Sequence, residues 1–253
     1  MVASRSAKKT PLSYDDRDYR RVEQSGLVAS TVKIAETDLY ILAPVQVDDL
    51  ALQLTGQVRL HIERYMKEHP QFLTSLVPLA LDEIAPEVIQ QMLIGGRLAG
   101  VGPMAAVAGS VAEFVGRGLR LKEIQEVIVE NGGDIYVARQ QPCTVAIFAG
   151  ESPLSGKIGV KIPPEQMPCG VCCSSGTVGH SLSLGQADAV VVVAKSTPLA
   201  DAAATRLANE VRGEKKSITR SLEIAARIKG LTGVIVISGE KLGAWGNIEL
   251  VRL

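Results

Sequence analysis

The chain has 253 residues, 46% of them hydrophobic and 21% charged, which excludes wholesale disorder and is enough to build a sizeable core. Its 27 lysines and arginines balance 27 aspartates and glutamates, leaving no net charge to attract DNA, RNA or an anionic membrane. Aromatics at 4% are too few for a base-stacking platform, and four cysteines do not make a disulfide scaffold at this length.

Residues 1–25 read as a polar tail. Asp15, Asp16, Arg17, Asp18, Arg20, Arg21 and Glu23 mix both signs with little apolar content. Met1–Thr10 carries Arg5, Lys8 and Lys9, and no apolar signal-peptide core follows. The longest uncharged apolar stretch, between Arg97 and Glu113, is shorter than a membrane span and is broken by Gly100, Gly102 and Pro103. The expectation is a soluble, cytoplasmic protein.

Residues 26–253 read as one α+β domain. Val28, Val32 and Ile34, then Leu39, Tyr40 and Leu42, flank Glu36–Asp38 as a hairpin. Asp48 or Asp49 can cap a helix carrying Leu52, Val58, Leu60, Ile62 and Tyr65, which Pro70 would end. A second helix is predicted from Pro86, and a third, rich in alanine and glycine, from Pro103 to about Val115. Small residues there let a strand, helix or ligand approach the backbone. Val127–Glu130 and Ile135–Ala138 flank the turn signal Asn131-Gly132-Gly133-Asp134. Thr144–Phe148 and Lys157–Ile162 are expected to extend that meander. The valine run Ala189–Ala194 suggests a central strand buried on both faces. Helices over about 199–211 and 218–229 follow, then strands Gly233–Ser238 and Ile248–Leu253, linked by Gly243–Asn247.

Three segments can carry chemistry. In Thr197-Pro198-Leu199-Ala200-Asp201-Ala202-Ala203-Ala204-Thr205, Thr197 can cap a helix, and Asp201 and Thr205 lie at i and i+4 on one face. A carboxylate and a hydroxyl with backbone carbonyls nearby are hard oxygen donors suited to magnesium. The same acid also simply complements a helix N-terminus. Gly132 and Gly133 permit positive φ and can expose amides to an anion, or form a plain hairpin turn. In Cys169-Gly170-Val171-Cys172-Cys173-Ser174-Ser175-Gly176, the cysteines fit inert buried thiols, a redox pair or a metal site. Ser174, Ser175 and Gly176 offer a phosphate-holding loop, with His180 beyond it. Gly150–Lys157 resembles a P-loop but lacks the Ser or Thr after the lysine.

In this order the segments resemble the ApbE superfamily, named for the FAD:protein FMN transferases. The match is closest at Ala200-Asp201-x-x-Ala204-Thr205 and next at Gly132-Gly133-Asp134. The resemblance implies a T-fold-like core with helices packed on a largely antiparallel sheet. It implies magnesium held by Asp201, Thr205 and the Ala204 carbonyl. It implies a flavin nucleotide, FAD, held around Gly109, Ser110, Glu113, Gly132, Gly133, Asp134, Ser174, Ser175, Gly176 and His180, with Asp201 and His180 as the catalytic residues. The implied chemistry is FMN transfer from FAD to a protein hydroxyl, or hydrolysis of FAD to FMN and AMP. A protein acceptor and a homodimer are expected with it.

Family transferases read Ala-Lys-Gly-Tyr where this chain has Val107-Ala108-Gly109-Ser110, so Ala108 replaces the lysine. That departure keeps a second reading open, a non-catalytic protein binding a flavin or other small molecule on the same fold. A third rests on Cys169, Cys172 and Cys173 as a thiol or metal protein.

Overall fold

A computed structural model describes residues 26–175 and 185–253. The hairpin β1 (Val28–Ile34) and β2 (Thr37–Ala43) leads into α1 (Asp48–Glu68), α2 (Pro70–Thr74) and α3 (Glu87–Ala99). A 3-10 turn, Pro103–Ala106, then feeds α4 (Val107–Arg120). Strands β3 (Val127–Asn131), β4 (Asp134–Ala138), β5 (Cys143–Ala146), β6 (Ile158–Ile162), β7 (Cys169–Ser174) and β8 (Ala189–Ala194) follow. The chain ends with α5 (Thr197–Ala208), α6 (Lys215–Ala225), β9 (Leu231–Ser238), β10 (Lys241–Gly246) and β11 (Glu249–Arg252).

Eight strands form one antiparallel sheet in the order β1-β2-β3-β4-β7-β8-β9-β10. The helices cover one face, and a three-stranded sheet, β11-β6-β5, covers the other. Strand alternation separates the two cores: Val190, Val192 and Ala194 join the helix-side cluster, while Ala189, Val191 and Val193 face the small sheet. All six residues of β8 are buried, as the unbroken valine run requires. The α+β class and the helix-on-antiparallel-sheet layering are those expected from the sequence.

Several local expectations change. Asp48 does not cap α1; its carboxylate instead accepts from the Ser30 hydroxyl and the Thr31 amide, tying the helix start to β1. Leu52 and Leu60 point outward. Helix α1 ends at Glu68 with His69 as its C-cap, so Pro70 bounds it as expected, and Pro70 then opens α2. The N-cap of α5 is Ser196, whose hydroxyl accepts from the Leu199 amide, and Thr197 is the first helical residue. Strands β5 and β6 leave the meander for the second sheet, because their apolar faces cover the side of the main sheet without helices. Gly243–Asn247 is no linker: β10 runs to Gly246 and pairs with β9. Cys169–Ser174, lacking any turn residue except Gly170, is strand β7 at the sheet centre.

Gly170 faces the helices, where a Cβ would lie 2.5 Å from the Thr197 Cα. Backbone cannot yield there as a flexible side chain would. Gly170→Ala is expected to destabilise the protein by about 1–3 kcal/mol through overpacking. Urea denaturation checks this, and an unchanged midpoint contradicts it.

Candidate functional site

Helix α5 packs deeply because half of the residues in its first two turns are alanine, with Thr197 to Ala204 all shielded from solvent. Small side chains let it press against β7, β8, α3 and α4. A Cβ at Gly109 of α4 would stand 2.7 Å from the Thr197 carbonyl oxygen and 2.9 Å from the Asp201 Cβ. That closeness puts the Asp201 carboxylate at the N-terminus of α4, where Oδ2 accepts from the Gly109 amide at 2.8 Å. Helix α4 has no side-chain cap of its own, so Asp201 supplies one from another helix.

Glu113, one turn further along α4, does the converse. Its Oε2 accepts from the Thr197 amide at 2.7 Å, at the N-terminus of α5. Ser110 spends its hydroxyl within α4, donating to the Ala106 carbonyl. Asn131 at the end of β3 donates from Nδ2 to the Ala108 carbonyl, joining the β3–β4 turn to the same helix.

The turn itself has both glycines at positive φ, 68° at Gly132 and 108° at Gly133, as a tight two-residue hairpin loop demands. One of its amides is committed: Gly133 N–H donates to Glu130 Oε1 at 2.9 Å, and the Gly133 carbonyl accepts from Cys173. The anion-cradle reading of this turn therefore loses the Gly133 donor. What the turn does position is Asp134, paired in register with Cys172 of β7. Alternation along β4 puts Asp134 on the same side as Tyr136 and Ala138, the side facing the helices.

Asp134 and Asp201 are both only 8% exposed, and among the described residues neither has an ion-pair partner. Oδ1 of Asp134 is buried without a hydrogen bond, as are the hydroxyls of Ser174 and Thr197. Burial, with the Glu130 charge adding to it, pushes the Asp134 carboxyl from 3.8 up to about 7, against the lowering effect of a Cys172 hydrogen bond. Burial and then the Asp134 charge hold Asp201 well above the carboxylate range, against the lowering effect of the Gly109 and Ala108 amides. Two uncompensated acids in a low-dielectric setting are costly unless protonated or neutralised by a cation.

The donor set suits a hard divalent ion. Magnesium characteristically takes one or two carboxylates and fills its remaining positions with neutral oxygens, water or ligand phosphate. Thr205, half-buried one turn beyond Asp201, and the Ala204 carbonyl lie on the same helix. No group of three His, Cys, Asp or Glu residues among those described is arranged to hold a metal, so a cation here rests on two carboxylates at most. Gly176 and His180 lie outside the described residues.

Of the three cysteine readings, the structure keeps the inert buried thiols and corrects the redox-pair and metal-site ones. In a strand, residues three apart face opposite sides, so Cys169 packs in the small-sheet core and Cys172 in the helix-side core. They cannot meet to bind one metal or close a disulfide. Burial raises Cys169 and Cys173 to about 12, far from a reactive thiolate. Cys172 instead donates its S–H towards the Thr197 carbonyl, 3.5 Å away. Residue spacing alone did not show that Asn131 and Cys172 join the site; strand alternation from Val127 and Val129 could have found Asn131, whereas Cys172 required the β4–β7 register.

Helices on one face of a largely antiparallel sheet make this an ApbE-like fold. A family model described as "AbpE bacteria" matches residues 20–229, and the chain belongs to that family. The UPF0280 protein MJ1526 of Methanocaldococcus jannaschii is 45% identical over 199 residues, covering 77% of this chain and 80% of that protein. A UPF0280 protein of Methanococcus aeolicus is 39% identical over 230 residues, covering 88% and 91%. The fold is similar to the apo flavinyl transferase ApbE of Pseudomonas stutzeri, with TM-score 0.56, 16% identity, and 87% and 94% of the two chains covered. The flavin transferase ApbE of Vibrio cholerae matches at TM-score 0.50 and 14% identity, over 87% and 96%.

The folded state binds protons on Asp134 and Asp201 more tightly than the unfolded chain, whose aspartates titrate near 4. Metal-free stability is therefore expected to fall as pH rises from about 4 through 7. Asp134→Asn is expected to flatten part of that slope. Urea denaturation across this range checks the sign, and stability that rises with pH through these groups contradicts it.

Proposed function

We propose that the chain is a magnesium-dependent enzyme acting on a flavin nucleotide or a related diphosphate. The observation that carries this is the pair of buried acids, Asp134 and Asp201, that no cationic side chain neutralises among the described residues. Asp134 and Asp201 would hold the ion, with Thr205 and the Ala204 carbonyl completing its set as the family resemblance implies. When bound, the metal supplies positive charge against a diphosphate and its developing leaving group.

The chain's own residues set the rest. Helix α4 orients Asp201 through the Gly109 amide, and Asn131 holds the β3–β4 turn against that helix. The buried Ser174 hydroxyl, without a hydrogen-bond partner among the described residues, is available to donate to a phosphate oxygen. Ala108 brings no ammonium group to this junction, so among the described residues charge neutralisation is left to the metal. This favours hydrolysis of FAD to FMN and AMP over the protein-flavinylating reaction, which would add a protein hydroxyl as acceptor. The same absence supports the second reading, a flavin-binding protein without turnover.

FAD with magnesium is expected to raise the melting temperature and to be converted to FMN, followed by chromatography. Asp201→Ala is expected to lower both magnesium-dependent stabilisation and turnover by more than about tenfold, since even outer-shell changes cost that much. Stabilisation without FMN release selects the binding reading. No effect of FAD and magnesium on the wild-type protein removes both.

A further inference from the structure

The resemblance places Glu113 among the nucleotide-binding residues, yet its carboxylate is directed elsewhere. Oε2 accepts the Thr197 amide at 2.7 Å, and the side chain is 15% exposed. Gly109 and Glu113 are one turn apart on α4, and Thr197 and Asp201 are one turn apart on α5. The two hydrogen bonds between these pairs run in opposite senses. An α4 amide holds an α5 carboxylate, and an α4 carboxylate holds an α5 amide. Each helix thus receives the anion that its N-terminal dipole favours from the other.

From this we infer that Glu113 is the positioning residue for Asp201: it fixes the register of α5 on α4 and thereby the place of the metal-binding carboxylate. The inference rests on the magnesium reading of the site. One hydrogen bond alone leaves the helices free to pivot about the Gly109 contact. The second, one turn away, removes that freedom. Without Glu113 the Thr197 amide loses its one acceptor among the described residues, and Ser196 is left as the side-chain cap of the first turn of α5. The shift this permits is largest on the face of α5 toward α4, where Asp201 lies. Arg117, 4.0 Å from Oε1, faces the other oxygen and leaves Oε2 to Thr197.

The test is calorimetric titration of the full chain with magnesium chloride alone, alongside thermal melts. Glu113→Ala is expected to weaken magnesium binding about 10- to 100-fold. Glu113→Gln keeps a carbonyl acceptor for the Thr197 amide and is expected to stay within about threefold of wild type by retaining most of that contact. Leu119→Ala, a buried change at the far end of α4, is expected to lower the melting temperature and leave affinity unchanged. Equal affinity in Glu113→Ala and wild type overturns the positioning role while the magnesium reading stands. So does an affinity loss in Leu119→Ala matching that of Glu113→Ala. A wild-type protein that binds no magnesium overturns both.

Discussion

Everything at the site depends on how closely α5 approaches α4 and β7. Thr197 sits over Gly170 on one side, and its carbonyl lies over Gly109 on the other, at separations no side chain would permit. That packing is what buries Asp201 and aligns the two exchanged hydrogen bonds. An aspartate on a looser helix would be a surface acid with an ordinary affinity for protons. Here the same residue is a desolvated carboxylate facing another, Asp134, across the helix–sheet interface.

The strain of that arrangement is electrostatic. A buried aspartate accepting one or two amide bonds at a helix N-terminus is comfortable by itself. Adding Asp134, with an oxygen that nothing donates to, converts a structural cap into an unbalanced pair. Proteins retain such pairs where a ligand restores the balance, and a divalent ion does so with least demand on the surrounding side chains. The cysteine on β7 between them is too deeply buried to ionise, so it contributes a weak donor and packing volume.

Much of the fold was legible in the sequence because its signals were local and strong. The valine run of β8, the Gly-Gly turn after β3, and the small-residue helices each specify their element by pattern. What was hidden depended on tertiary partners. Strand β7 carries cysteines and serines that do not advertise a strand, and β10 has no clear alternation in Lys-Leu-Gly-Ala-Trp-Gly. Asp201 was found by its spacing to Thr205, but its pairing with Asp134 required the β4–β7 register. Glu113 is put with the nucleotide by the family resemblance alone. Its geometry shows a carboxylate already occupied by a backbone amide. Fold-level similarity extends across most of the chain, yet at 16% identity it speaks to architecture and leaves the chemistry to these residues.

The proposed cation site between α5 and the β3–β4 turn is tested most directly by crystals grown with manganese, an anomalous scatterer that occupies magnesium sites. The expected result is an anomalous peak within coordinating distance of both Asp134 and Asp201. A well-ordered site with no peak, and with both carboxylates satisfied by protein donors alone, would contradict it.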